Sequence, residues 1–514
     1  MSLTSIILKQ SVAIKSLGSE EKNINHIRLQ RVALKKLLRK ATFTEFGSQF
    51  GFENILNSKN VEQTFGEQIP VFDYAHIYKD WWSKSFEGKR NVCWPGKVSH
   101  FVFTSGTTES SSKRIPATSA LLRSIKHVAI RQYVTLHNYP VANDYYEKDI
   151  LMLGGSASLD SKKNLLDLSG LLMLKLPFWL NHFYKPGIEI AKETDWDKMI
   201  EKIIDKAPEW DVGTLMGIPS WMQILLERIV DKYKLKNIHE IWPNLAVYFY
   251  GGVPLDPYKK NFSKLVGKKM FYINTYLASE GFIAFQATPE KHELQLATDG
   301  GIYFEFIPFN EKNFSADGNL LEHPETLTWS EIEENVDYAL LISTCAGAWR
   351  YLLGDTIKFT SCLKAEIIIT GRTKHFINLC SEHLSVGNME KAIELATEKF
   401  GISFKEFSVA GIPYQNLFAH KWYIGTDDKV DPELLKKNID DSLRKLNDDY
   451  NYERGTALKE IFVEVLSPSI FYEWMKKNGK QGGQYKFPRV LKNEQLKDWE
   501  NFISRKITAS SAKQ

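Results

Sequence analysis

Cysteine is scarce in this 514-residue chain: Cys93, Cys345, Cys362 and Cys380 are the full set. None forms a CxxC pair and no histidine stands at zinc-ligand spacing beside them, which excludes a disulfide framework and a zinc ribbon. Reduced, buried thiols in a cytoplasmic protein are the expectation. Net charge is also small, with 66 Lys and Arg against 62 Asp and Glu. That balance argues against a dedicated nucleic-acid surface or a polybasic membrane surface. No apolar run approaches a membrane span, and the patch near the start, SIILKQSVAIK, is broken by Lys9 and Lys15, too polar for a signal-peptide core. Internal repeats and low-complexity tracts are missing. So are a Walker A loop, an HExxH pair and a GxSxG elbow, since Gly154-Gly155-Ser156-Ala157-Ser158 has the wrong spacing.

What is present is ordinary globular material: 43% apolar and 25% charged residues, enough for large cores and about two to four domains. Aromatics reach 13% with 13 Trp, most of them expected in the core and some as walls for an apolar ligand. Residues 1 to about 60 read as largely amphipathic helix, with Ile24, Ile27, Leu34, Leu37 and Leu38 at helical spacing. A short strand over about 98–104 runs into the polar stretch TSGTTESSSKRIPAT, expected as a flexible loop. Helical periodicity then resumes at Leu121, Leu122, Ile125, Val128 and Ala129, with Thr118 or Ser119 as N-cap.

Strand-like runs at 150–156, 210–219, 244–252 and 269–276 alternate with helical segments at 195–207 and 219–233. That alternation implies a mostly parallel α/β layer whose ligands gather beyond the carboxyl ends of the strands. Residues 301–309 and 338–360 read as consecutive strands of a β-rich subdomain. The character shifts near Gly371-Arg372, beyond which helices (386–399, 432–447) and strands (406–411, 418–425, 459–466) form a compact α+β unit. The expected division is 1–371 and 372–514, with a frayed tail at the end.

The loop Thr104-Ser105-Gly106-Thr107-Thr108-Glu109-Ser110-Ser111-Ser112-Lys113 carries the ingredients of a phosphate cradle. Glycine frees the backbone to turn its N–H groups inward, hydroxyls donate, and a lysine brings charge. Composition alone leaves a cradle and a plain solvated connector both open.

Three later stretches add to it: Tyr276-Leu277-Ala278-Ser279-Glu280-Gly281, Trp349-Arg350-Tyr351-Leu352-Leu353-Gly354-Asp355 and Gln484-Tyr485-Lys486-Phe487-Pro488-Arg489. With these in order the sequence resembles the Gretchen Hagen (auxin-responsive promoter) family of acyl-acid amido synthetases, within the acyl-adenylating enzyme superfamily. The resemblance covers nearly the whole chain, including IPVFDYAHIYKDWWSKSFEGKRNVCWPGKVSHFVFTSGTT. It implies an α/β fold, with a large N-terminal acyl-adenylating domain of mixed sheets, flanking helices and a β-rich subdomain, and a small mobile α+β C-terminal domain.

The resemblance further implies ATP and Mg²⁺ as cofactors, and a small-molecule carboxylic acid and an amine, such as an amino acid, as substrates. Ser105, Gly106, Thr107 and Thr108 would hold phosphates and Glu280 the metal. Tyr276 would face the adenine, Gly251 and Gly252 would let the backbone approach its edge, and Asp355 would bind the ribose. Arg372 and Lys374 fall at the superfamily's hinge, and Lys486 would swing in to bridge the substrate carboxylate and the α-phosphate. Each residue taken alone has a plainer reading, as a turn, a cap, a core side chain or a solvated lysine. Relatives commonly carry a second glycine soon after SGTT. Here Glu109-Ser110-Ser111-Ser112 intervenes before Lys113, which leaves the part played by Lys113 open.

The acyl pocket is less defined. Val128, Tyr133 and Trp221 are candidate walls, and the same stripes also suit a core. Amide formation from an acyl-adenylate needs no enzyme nucleophile, which agrees with the missing triad. Two other readings fit the sequence: thioester formation with coenzyme A, and a degenerate nucleotide-binding regulator.

Overall fold

The apolar runs of the middle of the chain pair edge to edge in one large sheet of the computed structural model. That model describes residues 25–103, 113–141, 145–154, 165–175, 182–252, 254–289, 291–315, 318–373, 376–377, 382, 384–415, 417–455, 458–480 and 486–511. Among these, eleven strands stand in the order Tyr303–Pro308, Asp337–Ser343, Tyr351–Ser361, Glu366–Arg372, Leu294–Leu296, Gly281–Phe285, Phe271–Ala278, Val247–Gly251, Val212–Gly217, Asp149–Leu153, Tyr184–Lys185. The five from Phe271–Ala278 to Tyr184–Lys185 run parallel. The others join antiparallel, so the expected β-rich part continues the same sheet. Tyr303–Pro308 is buried along its whole length. A strand covered on both faces needs such a run rather than polar alternation.

The expected loop between 104 and 118 is shorter than the sequence suggested. Arg114–Ala117 is a strand, antiparallel to His100–Phe103, with Phe103 opposite Arg114. Ile115, Pro116 and Ala117 are all buried, a run too brief to stand out beside the Ser stretch. Thr118 then caps the helix Ser119–Val134, its Oγ1 accepting from the Leu121 N–H at 3.0 Å and donating to the Cys345 carbonyl at 2.7 Å.

The C-terminal part builds its own four-stranded sheet in the order Leu458–Leu466, Leu417–Gly425, Glu406–Tyr414, Val490–Leu491. One face packs Val409, Trp422 and Ile424 against Leu435 and Ile439 of the helix Pro432–Leu446. On the other side Ala410, Tyr423, Phe471, Trp474, Phe487 and Trp499 merge with Trp221, Tyr248 and Phe262 of the large-sheet side into one apolar cluster. At about 25 cal/mol per Å² of apolar surface, a seam of such aromatics is worth several kcal/mol. Cys93, Cys345 and Cys362 are free thiols, and Cys380 lies outside the described residues. Among the described residues no helix is long and apolar enough to cross a membrane.

Candidate active site

Glu280 sits in the tight turn between the antiparallel strands Phe271–Ala278 and Gly281–Phe285, where Ala278 faces Gly281. Gly281 packs closely on Ile302: a Cβ there would stand 2.7 Å from Ile302 Cδ1, so that side chain would have to shift. Glu280 is 5% exposed, and its charge acts on the Tyr351 phenol. Burial pushes the Glu280 pKa up, and the positive charge of Lys113 is the chief opposing influence. Lys113 itself lies with its ammonium 5.3 Å from the Tyr74 ring centre. Among the described residues no cluster of three or more metal-binding side chains occurs. Glu280 therefore offers a single buried carboxylate with hard oxygens. Mg²⁺ fits such a donor when phosphates and water complete its shell.

Tyr276 and Asp355 come from different strands and meet through the Tyr276 hydroxyl, which donates to Asp355 Oδ2. Arg372 Nε donates to Asp355 Oδ1 at 2.8 Å, the two residues being direct partners of adjacent strands. Each carboxylate oxygen keeps a further lone pair, so Asp355 can still accept from vicinal hydroxyls. Burial and the neighbouring Asp355 charge push the Tyr276 phenol far up, so it remains a donor. Asp355 in turn holds Arg372 above its ordinary range.

The ends of the parallel strands supply the backbone. A Cβ at Gly251 would stand 2.4 Å from the Thr275 carbonyl oxygen. Gly252 has φ +83°, and a Cβ there would stand 2.7 Å from the Lys486 ammonium. The Lys486 ammonium donates to the Gly252 carbonyl, so a side chain of the C-terminal part reaches the tip of the large sheet. Burial and then repulsion from Arg372 push Lys486 down to about 8, while Asp355 opposes them.

Asp355 and Arg372 act on both Glu280 and Lys486, which gathers the four into one locale. Ser105, Gly106, Thr107, Thr108, Glu109 and Lys374 lie outside the described residues. The pairing of Phe103 with Arg114 brackets residues 104–112, and Lys113 just after them is the positive charge that most lowers the Glu280 pKa.

Of the pocket candidates, Val128 is fully buried in the apolar cluster that also holds Ile125 and Ile302. Trp221 is a core residue of the seam, with ring centres 5.0 Å from Trp196 and 5.8 Å from Tyr472. Tyr133 stands 5.7 Å from Tyr146 in a group with Tyr145 and Tyr184, and burial pushes its phenol far up. The adjacent Gln132 donates to Thr275 Oγ1 at 2.6 Å, tying that helix to the strand that carries Tyr276.

Sequence reasoning gave no part to Tyr351, although its motif was quoted. A phenol that feels the charge of a turn residue seventy-one positions upstream leaves no local signature. Arg350, in the same motif, faces away from the site. It is 3% exposed, pairs with Glu305 at 3.0 Å, and donates to the carbonyls of Gly66 and Ile69 at 2.6 Å each and to Thr326 at 2.7 Å.

Residues 18–166 match the GH3 family N-terminal domain, 295–366 its central domain and 387–495 its C-terminal domain. The chain is 21% identical to the indole-3-acetic acid-amido synthetase GH3.2 of Arabidopsis thaliana, covering 74% of this chain and 80% of that protein. It is 22% identical to the jasmonoyl–L-amino acid synthetase JAR4 of Nicotiana attenuata, over 72% and 73%. Among solved structures, GH3.15 acyl acid amido synthetase superposes with a TM-score of 0.75 at 14% identity, covering 94% of each chain. A 2-hydroxyisobutyryl-CoA ligase in the postadenylation state shares the fold at a TM-score of 0.56 and 14% identity, over 94% of this chain and 91% of that one. The chain belongs to the GH3 family of acyl-acid amido synthetases, in the acyl-adenylate-forming superfamily.

Proposed function

We propose that this chain uses ATP and Mg²⁺ to activate a small carboxylic acid and passes the acyl group to an amine, an amino acid in the leading reading. One carboxylate oxygen of the acid attacks the α-phosphorus of ATP. The bond from that phosphorus to the β-phosphate oxygen breaks, and pyrophosphate leaves with the electron pair. The amine nitrogen then attacks the acyl carbon, the bond to AMP breaks, and the amine loses a proton.

The convergence of Glu280, Asp355, Arg372 and Lys486, drawn from four separated stretches, carries this reading. Activation builds negative charge on phosphoryl oxygens, so fixed cations and donors in a dry cleft accelerate it. Lys486 is the catalytic residue in this proposal, its ammonium bridging the acid and the α-phosphate. Asp355 and Tyr276 take the ribose and adenine, with Gly251 and Gly252 admitting the base edge. Ser105, Gly106, Thr107 and Thr108 take the phosphates, and Arg372 steadies Asp355. Glu280 is the residue that would hold Mg²⁺, which neutralises phosphate charge when bound. Tyr133 is the acyl-side wall we favour. Residues 1–371 form the large domain and 372–514 a lid that delivers Lys486. The names of the amido synthetase relatives support an amine over a thiol acceptor.

The test is product identification by mass spectrometry from ATP, Mg²⁺, a panel of acids, and either mixed amino acids or coenzyme A. An amide with AMP and pyrophosphate is expected; a thioester alone would overturn the amide reading.

A further inference from the structure

The stretch from Phe72 to Phe86 touches both the strand that carries Asp355 and the two strands that flank residues 104–112. At its start, the Phe72 N–H donates to the Arg350 carbonyl at 2.9 Å, and the Leu352 N–H donates to the Phe72 carbonyl at 2.8 Å. Those bonds tie it to the head of the strand Tyr351–Ser361. Asp73 then caps a helical run, accepting from the His76 N–H at 2.9 Å.

Side chains four positions apart drift by roughly 40° around an α-helix. Between Tyr78 and Trp82 this helix widens, the Ser83 N–H reaching back to the Tyr78 carbonyl. A wide turn of this kind offsets the drift and recurs at functional sites. It keeps Tyr74, Tyr78 and Trp82 together, with ring centres 5.5 Å apart for the first two and 6.3 Å apart for Tyr74 and Trp82. Trp82 in turn stands 5.4 Å from the Tyr351 ring and donates its indole N–H to the Gly347 carbonyl at 3.1 Å.

The same run grips Arg114. The Arg114 N–H donates to the Tyr74 hydroxyl at 2.8 Å, and its guanidinium donates to the Tyr78 hydroxyl at 3.1 Å and lies 4.6 Å from the Phe86 ring centre. Phe86 also meets Phe101 edge-on at 5.1 Å. Phe101 and Arg114 belong to the paired strands on either side of residues 104–112. A hydroxyl that accepts a backbone N–H fixes the main chain itself, and so fixes where the adjacent Lys113 springs from. The Lys113 ammonium lies over the same Tyr74 ring.

We propose that Tyr74 and Tyr78 are positioning residues for the triphosphate of ATP, their hydroxyls holding Arg114, and with it Lys113, in fixed relation to the strand that carries Asp355. The inference rests on the proposed ATP-dependent activation.

Tyr74→Phe and Tyr78→Phe remove the hydroxyls and keep the rings, so the aromatic row and the Lys113 contact survive. The readout is isothermal titration with ATP and Mg²⁺ and, separately, with AMP, which has the adenine and ribose but lacks the two outer phosphates. Tyr74→Phe weakens ATP binding about fivefold and the double variant about tenfold or more, the loss of one and two hydrogen bonds. AMP affinity holds within about twofold in all three variants. In acid-dependent pyrophosphate exchange the same loss appears as a raised KM for ATP, with kcat within about twofold of the parent's. Equal loss of ATP and AMP affinity, as a general loosening of the fold would give, overturns the proposal. So does a double variant that binds ATP like the parent. A parent protein that binds neither nucleotide refutes the ATP reading itself, and the proposal with it.

Discussion

Asp355 and Arg372 are cross-strand partners at one edge of the site, with Nε and Oδ1 2.8 Å apart and the Tyr276 hydroxyl on the other carboxylate oxygen. The carboxylate is thereby held in one orientation before any nucleotide arrives. Preorganisation of this kind lowers the cost of binding a diol.

Asp355→Asn should weaken ATP binding about tenfold, since an amide accepts through one oxygen only and loses the charge-assisted bonds. Isothermal titration with ATP measures it. An unchanged affinity would take the ribose contact from Asp355.

Lys486 sits at about 8 because burial and Arg372 disfavour its ammonium. A lowered lysine pKa means the cation is lost as pH rises through about 8, well before an exposed lysine would titrate. Acid-dependent pyrophosphate exchange should therefore decline above pH 8, and Lys486→Ala should slow it about 100-fold or more. Conversion of a supplied acyl-adenylate should change little with either.

Glu280 should set the magnesium requirement. Chelation abolishes activation, and Glu280→Gln raises the Mg²⁺ concentration for half-maximal exchange by about tenfold or more. Because burial raises the carboxyl pKa, protonation arrives at a higher pH than for an exposed glutamate, and the Mg²⁺ requirement should climb as pH falls through it. Titration of exchange activity with MgCl₂ at several pH values tests both.

Arg350→Ala should destabilise the fold by about 3–5 kcal/mol, because it leaves Glu305 buried and unpaired. Burial already pushes the Glu305 carboxyl up, so without Arg350 it protonates more readily and the loss shrinks at lower pH. Urea denaturation at two pH values reads this, and the folded fraction should keep its KM for ATP.

Local patterns revealed much of this architecture. The Thr118 cap, the helix Pro219–Tyr233 and the strands Val247–Gly251 and Phe271–Ala278 follow from spacing and turn residues alone. What stayed hidden depends on distant partners. Arg114–Ala117 is a strand because His100–Phe103 lies beside it, and four residues carry too little pattern to announce that. Periodicity does not say that antiparallel and parallel strands share one sheet. Trp221 looks the same in sequence whether it walls a pocket or packs against Trp196. The bonds from Lys486 to the Gly252 carbonyl and from the Tyr276 hydroxyl to Asp355 join residues far apart in the chain, where only the fold brings them together.

The most direct measurement is acid-dependent exchange of labelled pyrophosphate into ATP across a broad panel of carboxylic acids, with ATP binding followed in parallel. Exchange that appears only with particular acids and requires Mg²⁺ is the expected result. Tight ATP binding with no exchange for any acid would contradict the account and leave a nucleotide-binding protein that activates nothing.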